Sequence, residues 1–154
     1  MKKEIENALN PLLHQTLSGM WRYSGHQRFE FGRHRLTKNK RGQAVTTPDY
    51  AIVVACGWRI SKDGNYLVSS SDYGPEGIRD DERGQQFFEL TKKNPPLVEA
   101  IEVDDHGSVH LLLSEGHTLD IFFVGISAYE NWRLILRDKR RKIFLVEKGD
   151  IDHE

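Results

Sequence analysis

Asp104, Asp105, His106, His110 and His117 crowd into one short stretch of the chain. Carboxylates and imidazoles this close can ligate a divalent metal, or serve as the acid and base of a hydrolase. Their parity argues against convergence. Val109, Leu111 and Leu113 alternate with Ser108, His110 and Ser114, so in a strand His110 lies on the polar face. His106 falls in the Asp104-Asp105-His106-Gly107 turn, and His117 shares the parity of Leu119 and Ile121. With one cysteine and no His-x-x-x-His helix, the expectation is no metal and no cofactor. Glu30, Asp72, Asp120 and Glu130 are candidates for paired carboxylates, but no spacing selects a pair. Ser69, Ser70 and Ser71 lack a Gly-x-Ser-x-Gly frame, and Cys56 sits in an apolar run with no adjoining cation. A phosphate loop and a dinucleotide fingerprint are both absent. A hydrolase of scattered acids and histidines therefore ranks behind two binding readings.

The first binding reading takes another protein as partner. Trp58, Arg59, Asp72, Glu130 and Trp132 are the candidate anchors, because Trp and Arg dominate interface energetics and an Arg-carboxylate pair flanked by indoles suits recognition. Against it, Trp132 shares the parity of Leu134 and Leu136, and Trp58 closes an apolar strand, which is where core tryptophans belong. The second reading is a nucleic-acid binder. Arg33, Arg35, Lys38, Lys40 and Arg41, with Lys139, Arg140 and Arg141 in a second basic turn to Lys142, would meet phosphates, and Trp21, Tyr23, Phe29 or Phe31, if exposed, would stack on bases. A formal net charge of −1 confines any such role to local patches.

These residues need positioning elements. At 154 residues, 38% hydrophobic and 29% charged, the chain fits one domain, 1–154, with a core large enough to fold unaided. Ile5, Ala8, Leu9, Leu12, Leu13, Leu17 and Met20 recur at helical spacing, predicting an N-terminal helical segment over 1–20 that is kinked or restarted at Asn10-Pro11 and stopped by Gly19. Residues 21–72 read as the first strands and a hairpin. Within them the basic stretch 33–42 reads as an exposed loop, and the near-continuous apolar run 50–60 as one central strand holding Cys56. Lys62-Asp63-Gly64-Asn65 turns the chain back. A helix over 80–93 follows, with Asp80, Asp81 and Glu82 at its positive end, until Asn94-Pro95-Pro96 ends it. A β-meander spans 97–147, turning at Glu115-Gly116, before a polar tail. The fold class expected is α+β: a mostly antiparallel sheet, curled or in two layers, with helices at the N-terminus and near 80–92.

The order of Phe29-Glu30-Phe31-Gly32, Gly57-Trp58-Arg59-Ile60, Ser70-Ser71-Asp72 and Tyr129-Glu130-Asn131-Trp132-Arg133-Leu134 resembles a group of small, largely uncharacterised bacterial proteins. In these a Trp-Arg-Ile strand, a Ser-x-Asp turn and a Glu-x-Trp strand recur, and some members are similar to immunity proteins, which bind and neutralise a cognate toxin. The resemblance covers most of residues 29–136 and carries over no catalytic residues. It implies a compact bacterial α+β domain that works by binding protein. With one cysteine and no apolar run of membrane length, a cytoplasmic location and no membrane partner are expected. Oligomeric state is left open.

Overall fold

Alternation of apolar and polar residues gives most of the described residues to strands, and the strands form two antiparallel sheets. The computed structural model describes residues 1–23, 25–72, 82–123, 130–136, 142–147 and 150–153; the side chains of 23, 82–86, 130, 142–147 and 150–153 are outside that description. Helix α1 (Lys2–Leu9) is followed by strands β1 (Leu17–Tyr23), β2 (His26–Lys38), β3 (Ala44–Val54), β4 (Trp58–Lys62) and β5 (Asn65–Ser69). Helix α2 (Glu82–Lys93) then leads to β6 (Val98–Val103), β7 (Val109–Leu113), β8 (His117–Ile121), β9 (Glu130–Leu136), β10 (Lys142–Glu147) and β11 (Asp150–His153). One sheet has the order β1-β2-β3-β9-β10-β11 and the other β5-β4-β8-β7-β6.

The inward faces of the two sheets share one core. Phe29, Phe31, Ile52, Trp132 and Leu134 from the first sheet join Trp58, Ile60, Leu111, Leu119 and Ile121 from the second. The ring of Phe29 meets Trp58 edge-on at 5.2 Å across the two layers. Ile5 and Leu9 of α1 add to this core and α1 packs on β6, while α2 lies against β1 and β5 and inserts Phe87. The fold is α+β with an N-terminal helix, as its periodicities predict.

Several elements differ from expectation. The helical segment 1–20 stops at Leu9; residues 10–12 form one 3-10 turn, and His14 at φ 67° sends the chain into β1. Leu17 and Met20 are both buried although they sit three apart in a strand, because a bulge between Leu17 and Gly19 shifts the register and turns both inward. That irregularity imitates helical spacing. The run 50–60 is two strands: β3 ends at Val54, the chain crosses at residues 55–57, and β4 begins in the other sheet. It reads as one apolar run because both pieces feed the same core. The meander also divides, with β6, β7 and β8 in the second sheet and β9 beside β3 in the first. The expected polar tail contains β11, and Asp80 and Asp81 lie outside the described residues.

Cys56 lies in the crossing rather than within a strand, half-buried against the core. Burial pushes its thiol up to about 12. At pH 8 the native thiol should therefore react with iodoacetamide about a thousand-fold more slowly than in the denatured chain, where the ordinary value is near 8.5. The sign for stability follows: above about pH 8.5 the unfolded chain ionises this thiol while the folded one does not, so stability falls as pH rises further.

The basic stretch is the largest departure. Residues 33–38 continue β2 and pair with 44–48 of β3, from His34 opposite Pro48 to Lys38 opposite Ala44. It looks like a loop because a ribbon exposed on both faces carries no hydrophobic alternation. At its root Gly32 takes φ +82°, and an added Cβ would stand 2.9 Å from Gln15 Oε1 and 3.0 Å from Asp49. A Gly32→Ala variant should lose about 1–2 kcal/mol from the left-handed backbone alone, with more from displaced Asp49, measured by urea unfolding.

Candidate functional site

The five candidate protein-binding anchors do not come together. Trp58 and Trp132 are each 1% exposed, so both rings fill the core and offer no surface to a partner. Asp72 accepts hydrogen bonds from the Ser69 amide at 2.8 Å and from the Tyr66 hydroxyl, and so clasps the end of the β4–β5 hairpin. Glu130 opens β9 in the other sheet, opposite Glu147.

Arg59 points out from the second sheet and pairs with Asp120, not Glu130. Its Nη2 and Nε lie 3.0 and 3.3 Å from Asp120 Oδ2, and its guanidinium sits 5.1 Å from the centre of the Phe122 ring. The other oxygen of Asp120 is 2.7 Å from His110 Nδ1. Strand register explains this row: Ser69 is opposite Arg59, Arg59 opposite Asp120, Asp120 opposite His110, and His110 opposite Glu102. Asp120 is 5% exposed, and a carboxylate so buried needs the two donors that flank it. Spacing along the chain does not disclose this row, because each member comes from a different strand.

Asp104 Oδ2 stands 3.8 Å from His110 Nε2, at the other end of the imidazole. Desolvation raises its pKa, but the amides of Ser108 and His106 and the neighbouring His110 and His106 together outweigh that and hold it below the usual carboxylate range. A depressed folded value means that this carboxylate supports the fold above about pH 3.9 and that the support is lost as pH falls through the depressed value. The destabilisation caused by Asp104→Ala, read as a difference in melting temperature, should therefore shrink as the buffer moves from pH 6 toward pH 2. Among the described residues no serine, threonine or cysteine bonds to His110; its ring nitrogens face Asp120 and Asp104. No group of three His, Cys, Asp or Glu among the described residues is arranged to hold a metal ion.

The basic candidates occupy a different place. Asp49 binds the root of the ribbon, its Oδ2 accepting from the Arg33 amide and its Oδ1 from Arg35 Nε, each at 3.1 Å. Higher up, the Thr37 and Thr47 hydroxyls meet at 2.8 Å across the pair. Asn39 builds the turn: its Oδ1 accepts from the amides of Arg41 and Gln43, its Nδ2 donates to Gln43 Oε1, and Gly42 supplies the positive φ of 75°. Lys38, Lys40 and Arg41 are thereby presented around a shallow recess at the tip. Every residue from 33 to 46 except Thr37 is exposed, and Leu36 reaches 76%.

Lys139, Arg140 and Arg141 lie outside the described residues. Their flanks are described: Lys142 pairs with Leu136, Leu136 with Tyr50, and Tyr50 with Phe31, at the end of the sheet from which the ribbon departs. Of the proposed stacking rings, Phe29 and Phe31 are buried in the core, while Trp21 is 47% exposed with Arg28 5.6 Å from its centre. Compared with models of known families, with curated proteins and with solved structures, the chain matches none. Among the described residues, no helix is long and apolar enough to cross a membrane.

Proposed function

We propose that this chain is a non-enzymatic binding domain whose partner is another protein, held through the projecting basic ribbon in an immunity-type or regulatory role. The observation that carries this reading is Leu36, 76% exposed in a hairpin whose other exposed side chains include Arg33, Lys38, Lys40 and Arg41. A large aliphatic side chain on a solvent-covered ribbon gains from burial in a polypeptide interface and gains little from a phosphate backbone. The resemblance to small bacterial proteins, some of them similar to immunity proteins, leads in the same direction. The proposed partner is acidic at the contact, since Lys38, Lys40 and Arg41 would meet it first.

A second reading, nucleic acid, is favoured by the shape of the ribbon, because the major groove of duplex DNA admits a two-stranded β-ribbon. Affinity purification of the tagged chain from its native cells, with and without nuclease, separates the two. A stoichiometric protein that survives nuclease supports the protein partner. Recovery of nucleic acid alone, lost when the ribbon charges are reversed, replaces it with the second reading.

A further inference from the structure

β1 and β2 run side by side only as far as Leu17 opposite Phe31, with one further bond from the Gly32 amide to the Thr16 carbonyl. The chain before Leu17 then leaves the first sheet. Thr16 bridges to Leu97, His14 donates to the Val98 carbonyl, the Val98 amide donates to the Gln15 carbonyl, and Leu17 donates to the Pro96 carbonyl. That departure strips the outer edge of β2 just where the ribbon begins. From Arg33 to Lys38, no strand among the described residues pairs with this edge. Open edges of this length are templates for another strand, and proteins usually shorten or cover them.

Building on the proposed protein partner, the geometry points to β-augmentation: an extended acidic segment of the partner adds as a strand along residues 33–38. The side chains on that edge define its chemistry. His34, Leu36 and Lys38 share one face of the ribbon and Arg35 and Thr37 the other, since strand residues alternate. His34 is held by the Ser18 hydroxyl at 3.1 Å and Arg35 by Asp49 at 3.1 Å, which leaves Leu36 and Lys38 for the incoming strand. The matching segment carries an acidic residue opposite Lys38, an aliphatic residue two positions on opposite Leu36, and further acids toward Arg33. Main-chain hydrogen bonds supply affinity, and the alternate side chains supply register. A second copy of this chain is the wrong occupant, because edge-to-edge pairing would set Arg33, Arg35 and Lys38 against the same cations.

The test uses the full chain and a blocked heptapeptide, Glu-Glu-Thr-Val-Thr-Glu-Glu, with the same composition reordered as Val-Glu-Glu-Glu-Glu-Thr-Thr, and a 15-base-pair DNA duplex. Binding is followed by NMR shifts and by hydrogen exchange of the backbone amides. The inference predicts that the first peptide binds at least tenfold more tightly than the reordered one. It also predicts that exchange slows at alternate amides within 33–38, with little change at Lys40 and Arg41. Equal binding of the two peptides, shifts without protection along 33–38, or no binding at millimolar peptide would each overturn augmentation, and the protein-partner reading would still stand or fall by co-purification. Protection of the ribbon by the duplex, with neither peptide binding, would overturn both.

Discussion

Reversing the three tip charges together, Lys38→Glu, Lys40→Glu and Arg41→Glu, is expected to weaken partner binding by about a hundred-fold or more and to leave the fold intact. All three side chains are exposed, and no acidic group among the described residues pairs with them. Nothing in the folded chain is therefore broken by the change, and surface substitutions of this kind alter stability by about 0.5 kcal/mol or less each. Against an acidic partner the same change replaces three attractions by three repulsions, and like charges brought together cost several kcal/mol. Since 1.4 kcal/mol is a factor of ten, a loss of two decades is a modest estimate. Titration calorimetry with the purified partner reads the loss, and a melting curve checks the fold. The turn itself should persist, because Asn39, Gly42 and Gln43 build it and none is altered.

Trp58→Ala should do the opposite, crippling stability while leaving the chemistry of recognition untouched. The indole is 1% exposed and lies edge-on against Phe29 of the opposite layer. Truncating a buried tryptophan removes its transfer free energy and leaves a cavity, about 3–5 kcal/mol in all. For a chain of this length that lowers the melting temperature by about 6–20 °C. Trp58→Phe should recover part of the loss by keeping a ring against Phe29. If Trp58 were instead a surface anchor for the partner, Trp58→Ala would abolish binding with no change in melting temperature.

What the residues disclose before folding depends on whether a side chain answers to its own strand or to a distant one. Val109, Leu111 and Leu113 declare β7, and Asn94-Pro95-Pro96 declares the end of α2, because each signal lies within a few residues. The helix predicted through Met20 fails where a bulge at Leu17–Gly19 counterfeits helical spacing. The ribbon at 33–46 is invisible as a strand because nearly all of its side chains are in water, although its charge marks it as a place apart. Arg59, Asp120 and His110 meet only through the register of β4, β8 and β7, so local spacing gives no sign of the row. Trp132, placed inside by its parity, and Trp58, placed inside as the end of an apolar strand, are core residues.

Replacing residues 33–48 by a short turn removes the ribbon and leaves both sheets in place. The shortened chain and the intact chain, each tagged, are used to purify partners from native cells after nuclease treatment, with melting temperature recorded for both. A stoichiometric protein is expected to accompany the intact chain and to be lost from the shortened one while the shortened chain still melts cooperatively. Retention of the same protein by a folded, shortened chain would contradict it and place the binding surface elsewhere on the two sheets.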